Sequence, residues 1–306
     1  MGVIFGPYPE FAWSISRQRL LEQCPRAYFY RYYASWNGWL REAPEEARLA
    51  YRLSKLTGLD ALLGQEIDVR AREIEAAARA GEDPPRASEL EARTRAALNQ
   101  AWQSSRDRAS FEASPKLVTM LRSIYLGREP DTEVARVKEK IPLCIQNLLA
   151  VPHWERVASC GEEGCVLIPD FAHFFVGEVK AFAAADLAYV HDGTLHVIDW
   201  KTGREGDDNH LQVLLSAHCL RENDPSLAGL VTEGRVHYLG TGETLDVTIP
   251  DVLAEVARSA ANEGVGLMRR YLLDPEGNVP LDAGEFNRRE SGLCLSCNFA
   301  PLCERD

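Results

Sequence analysis

The sequence predicts an α/β protein in which a mixed β-sheet core is flanked by helices, preceded by a helical region and followed by a cysteine-bearing segment. Three observations carry this reading. Residues 45–126 are rich in Ala, Arg and Glu and place apolar residues at helical spacing. From about 133 to 249 the pattern turns to short β-type runs, with one helical stretch between them. The remaining tail is rich in Gly, Pro and Cys and contains "CLSCNFAPLC". The chain therefore divides into a helical region, 1–132, a core, 133–273, and a C-terminal segment, 274–306.

The elements follow in order. Ser14 or Ser16 can cap a first helix and Pro25 suits the first position of a second, so residues 14–36 predict two short helices with Cys24 at the start of the second. The helical region breaks at "GEDPPR" and closes at "GREPDT". The β-type runs are "RVKEKIPLCI", "CVLIPDF", "HFFVGEVKAF", "DLAYVH", "TLHVIDWK", "RVHYLG" and "TLDVTI". A helix over roughly 208–221 separates the last two from the others, and another covers about 250–272.

Composition narrows the function. A 306-residue chain with 45% hydrophobic and 26% charged residues is ordinary for a globular protein. No apolar run is long enough to cross a bilayer, and the first residues lack the charged-then-apolar order of a signal peptide, so the expected setting is cytoplasmic with no membrane partner. A net charge of -12 argues against indiscriminate nucleic-acid binding but permits a narrow basic channel. Arginines do cluster near the chain ends, in "SRQRL", "CPRAYFYRYY", "LMRRY" and "FNRRE". Eight cysteines without a secretion signal are read for metals rather than disulfides.

The stretch "DLAYVHDGTLHVIDWKTG" raises the sharpest question. If Asp192-Gly193 forms a two-residue turn, His191 faces Thr194, and the same register puts Asp186 opposite Asp199. Like charges so placed repel. A divalent cation resolves the conflict, because Mg²⁺ and Mn²⁺ take hard oxygen ligands from one or two carboxylates together with water and phosphate. Lys201 returns to the same face two residues on and can assist a phosphate or an attacking water. The alternative is a pair of solvent-facing aspartates on an uncovered sheet, with Lys201 as an edge charge.

Those residues carry a resemblance. Asp186, Asp199, Lys201, Thr202 and Gly203 match the PD-(D/E)XK nuclease signature in its RecB-type form, an Asp on one strand followed by "DxKTG" on the next. The resemblance implies a restriction-endonuclease-like sheet, a metal held by Asp186, Asp199 and the Trp200 backbone carbonyl, and Lys201 and Gln212 as further catalytic residues. The family expects a Tyr one turn after the Gln, where this chain has Ser216. It also tends to carry "GxxxH" on an upstream helix; "GQEID" resembles that segment, with Asp68 in place of the His, and Asp68 is either a further metal ligand or a surface residue. Glu178 is a weaker accessory candidate.

The second resemblance lies at the chain ends. "SISRQRLLEQCPRAYFYRYY" and "CLSCNFAPLC" are similar to segments of iron–sulfur members of this family, the AddB-type and CRISPR-adaptation nucleases. It implies a structural [4Fe-4S] cluster on Cys24, Cys294, Cys297 and Cys303 that packs the C-terminal segment against the N-terminus. Zn²⁺ on the same four thiols is the rival. Cys160 and Cys165 read as a Gly-rich hairpin loop, and Cys144 and Cys219 as core residues. None of His191, His196 and His210 is assigned catalysis. The rings of "YFYRYYASWNGW" are read mostly as packing, with Arg26 and Arg31 as candidate nucleic-acid contacts.

The expected function is hydrolysis of DNA phosphodiester bonds by an Mg²⁺- or Mn²⁺-dependent exonuclease acting on single strands or DNA ends. The setting is repair, recombination or CRISPR and phage defence, alongside a helicase or another repair or defence protein. The alternative is a non-catalytic or partner-dependent DNA-binding subunit.

Overall fold

The structure, a computed structural model, describes residues 6–128, 130–161, 164–206 and 208–303. A short strand, β1 (Ala12–Trp13), leads into α1 (Ile15–Gln23), where the Ser14 hydroxyl accepts from the Arg17 N–H at 3.3 Å. The second helix, α2 (Pro25–Phe29), opens on Pro25 and widens into a π-helical turn, Tyr30–Ala34. A helical layer follows: α3 (Glu45–Ser54), α4 (Leu59–Ala80), α5 (Ala87–Ser104), α6 (Arg108–Ala113), α7 (Arg122–Tyr125), α8 (Asp131–Ala150) and α9 (His153–Cys160).

Two β-type runs fold otherwise than expected. "RVKEKIPLCI" lies inside α8, where Val137, Ile141, Cys144, Ile145 and Leu148 are buried along one face. That spacing has the helical period and outweighs a brief alternation, while Pro142 forfeits one helical hydrogen bond without ending the helix. The helical layer thus runs past the expected boundary at 132. "CVLIPDF" contributes a single bridge from Cys165 to Tyr189 and then leaves the sheet near Pro169, which has no N–H to donate. Glu162 and Glu163, within the expected hairpin loop between Cys160 and Cys165, lie outside the described residues.

The strands make two sheets of consequence. In the smaller, β2 (His173–Val176) and β3 (Val179–Phe182) form a hairpin, and β1 pairs parallel with β3. Glu178 stands exposed at the tip of this hairpin. The larger sheet has the order β4-β5-β6-β7, built from β4 (Leu187–His191), β5 (Thr194–Lys201), β6 (Val231–Tyr238) and β7 (Glu243–Val247). Its β5–β6 pair is parallel, which demands a crossover, and α10 (Asn209–Asn223) supplies it. The chain ends with α11 (Leu253–Arg269), a small hairpin of β8 (Leu272–Asp274) and β9 (Val279–Pro280), and α12 (Ala300–Cys303).

Both faces of the larger sheet are covered. Leu187, Tyr189, Ile198 and Trp200 pack against α4, α5, α8 and α9. Ala188, Leu195, Val197 and Val236 pack against Val213, Leu214 and Ala217 of α10. This explains the long apolar run of β5, a strand buried on both sides. Asp199 therefore sits between α10 and the sheet.

Candidate active site

The β4–β5 hairpin has the expected register. Asp192 and Gly193 both take positive φ, 48° and 71°, as a type I′ turn requires, and His191 pairs with Thr194 and Leu187 with Ile198. One residue before β4 begins, the Asp186 N–H donates to the Ile198 carbonyl at 3.1 Å, so the register still holds there and Asp186 lies across from Asp199.

Asp199 is 2% exposed. Its Oδ1 accepts from Gln212 Nε2 at 2.8 Å, and Lys201 Nζ stands 2.7 Å from Oδ2. The ammonium forms an ion pair with this buried oxygen, which among the described residues has no other partner. Asp186 is held differently: its Oδ2 accepts the Trp200 N–H at 2.7 Å. A strand residue sends its N–H and C=O to the same edge, so the Trp200 carbonyl also faces the Asp186 side, where β4 has not yet begun.

The long helix α4 brings the next group. A Cβ on Gly64 would lie 3.6 Å from Thr202 Oγ1, so this face of α4 passes close to the end of β5. Asp68, one turn on, is pushed up to about 6, first by burial and then by Asp186, with Arg72 and Lys201 pulling the other way. It belongs to the carboxylate cluster by position. Burial pushes Asp199 up to about 7, repulsion from Asp186 adds to this, and Lys201 opposes it. Asp186 is also raised, by the protein packed around it, although solvent still reaches its outer side.

Three carboxyls thus crowd one end of the sheet against Lys201 and Arg72. Among the described residues, no three His, Cys, Asp or Glu side chains form a ready cage for a metal ion. Mg²⁺ and Mn²⁺ do not require one, since they are held by one or two carboxylates with water and phosphate completing the shell. The Asp199 Oδ2, which faces only Lys201, and the facing Asp186 fit that mode of binding.

The raised acids set a sign for stability. Between pH 4 and about 7 the folded protein keeps a proton on Asp199 that the unfolded chain has released. Stability of the metal-free protein therefore falls as pH rises through this window, by on the order of 1.4 kcal/mol for each unit of pKa difference. Asp199→Asn removes this dependence. Its thermal midpoint, followed by circular dichroism in EDTA, should exceed that of the wild type at pH 8 by several degrees and match it near pH 4. An equal gap at both pH values would contradict the burial argument.

Arg72 is a site residue that the motifs do not mark. It lies four residues after Asp68 and eight after Gly64, on the same face of α4, and its guanidinium acts on both Asp68 and Asp186. Helical spacing from Asp68 is the signal that points to it. Ser216, at the expected Tyr position, is buried in α10. His196 stacks on Tyr189, while His153 bridges Tyr189 and His237 beneath the sheet, so these imidazoles serve the core.

The four cysteines expected to act together come near one another in the fold, but among the described residues they form no group that would hold a metal ion as they stand. Cys24, Cys297 and Cys303 pack against a cluster containing Tyr30, Leu53, Phe299 and Leu302. Burial pushes the Cys297 thiol up, and Cys24 and Cys294 add to the effect. Cys303 is raised by burial and then by Cys297. Arg26 donates to the Phe286 carbonyl at 2.9 Å and Arg31 to that of Ser54, so both brace the surrounding segments.

Fold and acid–lysine cluster together define an α/β protein consistent with restriction-endonuclease-like architecture. A model of the PD-(D/E)XK nuclease superfamily matches residues 12–304. The chain belongs to that superfamily, whose members are nucleases that hydrolyse phosphodiester bonds. No curated protein matches the chain significantly. Among the described residues no helix is long and apolar enough to cross a membrane.

Proposed function

We propose that this chain is an Mg²⁺- or Mn²⁺-dependent deoxyribonuclease. The observation that carries the reading is the buried Asp199 carboxylate, opposite Asp186, with one oxygen held by Gln212 and the other facing only Lys201. Asp186, Asp199, the Trp200 carbonyl and Asp68 would hold the cation. When bound, it would supply Lewis acidity at a phosphate oxygen.

The chain's own groups divide the remaining work. Gln212 fixes the rotamer of Asp199, and the Trp200 N–H fixes that of Asp186, so neither carboxylate must reorganise when substrate arrives. Lys201 presents a proton donor and a positive charge where an attacking water and the developing negative charge on phosphorus would lie. Hydrolysis joins the water oxygen to phosphorus and breaks the bond to the leaving sugar oxygen, which takes up a proton. Arg72 adds a second cation toward the substrate side. The resemblance further supports exonuclease action on single strands or DNA ends, beside a repair or defence partner, and a [4Fe-4S] cluster on the four gathered thiols, with Zn²⁺ as the rival occupant.

The test is incubation of labelled linear single- and double-stranded DNA with Mn²⁺, then with EDTA. Cleavage that appears with the metal and stops with the chelator is expected. Asp68→Ala should raise the Mn²⁺ concentration needed for half-maximal rate by about 10- to 100-fold, the usual cost of losing a group that supports a metal. A folded protein inert on both DNAs at every Mn²⁺ concentration overturns the proposal.

A further inference from the structure

A second concave site lies in the helical layer, away from the carboxylates. The turn after the π-helical segment, α3 and the residues following α6 enclose an open cleft of about 450 Å³. That is room for a nucleotide-sized group. One wall of the cleft is fixed by a glycine at residue 38: a Cβ there would stand 2.2 Å from the Ala47 carbonyl oxygen and 2.6 Å from the Tyr51 Cβ, so any side chain would lift the turn off α3.

Its lining combines rings and cations. Trp39 and Tyr51 meet edge to face at 5.6 Å, and Trp39 keeps 37% of its surface exposed. Arg41, Arg48, Arg52 and Lys116 line the same cleft, with Glu112 as the opposing acid. Glu112 is engaged by Arg108 at 2.8 Å, and Glu45 holds Arg52 at 2.5 Å while lying 3.8 Å from Arg48. Among the described residues neither Arg41 nor Lys116 makes an ion pair. Lys55, 4.9 Å over the Tyr51 ring, is pushed down by burial and then by the neighbouring cations Arg31 and Lys116. Four cations therefore line the cleft against one lining acid, Glu112, with Glu45 pairing Arg48 and Arg52, on a chain whose net charge is -12.

Crowded cations around an accessible aromatic face suit a ligand that is both polyanionic and flat-ringed. We infer that this cleft binds a single-stranded segment of nucleic acid, one base stacking on the exposed part of Trp39 while flanking phosphates engage Arg41, Arg48 and Lys116. An acidic peptide would satisfy the cations but bring no flat ring to the exposed indole, and a duplex keeps its bases out of reach. The inference rests on the nuclease reading only for the strand being DNA. It sorts the aromatic run of the N-terminal region: Tyr28, Tyr30 and Tyr33 are buried as packing, and Trp39 faces ligand.

Fluorescence anisotropy with a labelled oligo(dT) of about ten nucleotides, in EDTA, tests it, because binding is then read without cleavage. Trp39→Ala should weaken single-strand binding by roughly 10-fold, within the range for one unstacked base. Arg41→Glu and Lys116→Glu, both at exposed positions, should each lower affinity and flatten the logarithmic salt dependence by about 0.7 for every phosphate no longer neutralised. A duplex of the same length should bind more weakly and ignore Trp39→Ala. Wild-type affinity in the folded variants, or equal weakening for duplex and single strand with Trp39→Ala, overturns the inference. A protein that binds through the cleft yet never cleaves would overturn the nuclease reading alone, and one that cleaves with cleft variants binding normally would overturn the cleft alone.

Discussion

Asp199→Ala and Lys201→Ala should each yield a folded protein whose DNA cleavage falls by on the order of 10³-fold or more. The two losses have different physical routes. Removing Asp199 takes away the buried carboxylate of the cluster and strands both Gln212 Nε2 and Lys201 Nζ, which now engage its two oxygens. Removing Lys201 leaves Asp199 subject to burial and to repulsion from Asp186 without the cation that opposes them, so its carboxyl moves further up and stays protonated at neutral pH. Lys201→Ala should therefore recover part of its activity as pH is raised, whereas Asp199→Ala should not. Single-turnover cleavage of a labelled strand with Mn²⁺ between pH 7 and 9, with circular dichroism as the control for folding, separates the two. Undiminished cleavage by either folded variant removes the site.

Much of this arrangement is legible in the chain because it is local. The Asp192-Gly193 turn fixes a register by arithmetic, and strand alternation then sets Asp186, Asp199 and Lys201 on one face. The same locality makes the N-terminal helices legible, through Ser14 and Pro25. What is not legible depends on partners distant in sequence or on period rather than on composition. The α8 segment contains a proline and a brief alternation that imitate an edge strand, and only the wider window from Val137 to Leu148 exposes its helical stripe. The approach of α4 to the end of β5 is a tertiary contact between Gly64 and Thr202 with no local signature, so nothing near Arg72 in the chain points to the site except its spacing from Asp68. The π-helical turn at Tyr30–Ala34 is likewise invisible to periodicity, yet it leads into the turn that carries Trp39.

On the cluster proposed for the four thiols, Cys24→Ser should lower the thermal midpoint of anaerobically purified protein by about 10 °C and remove the visible absorbance, iron and sulfide that such a cluster would bring. The C-terminal segment meets the N-terminal region through Arg26 on the Phe286 carbonyl and Tyr33 on Asn278, then through the Asn298 amide on the Leu56 carbonyl at 2.8 Å, Arg289 on the Glu22 carbonyl, Arg128 on the Leu295 carbonyl, and Phe299 tilted 5.7 Å from Tyr30. Phe286, Phe299 and Leu302 are buried in these contacts, whereas the stretch from 287 to 296, which carries Cys294, is exposed. A metal group shared by Cys24 and the thiols of Cys294, Cys297 and Cys303 would close a loop spanning most of the chain. By the chain-entropy estimate for a cross-link, closing so long a loop stabilises the fold by roughly 5 kcal/mol. Without it, Cys297 and Cys303 are thiols pushed up by burial and by the neighbouring sulfurs, so they hold their protons at neutral pH. Binding must displace those protons, and reconstitution with iron and sulfide should accordingly proceed further at pH 8.5 than at pH 6.5. Metal analysis decides the occupant: iron with sulfide and a brown colour supports the cluster, and one zinc in a colourless protein supports the rival. Wild-type protein without either metal, melting as Cys24→Ser does, would leave the four cysteines as ordinary free thiols.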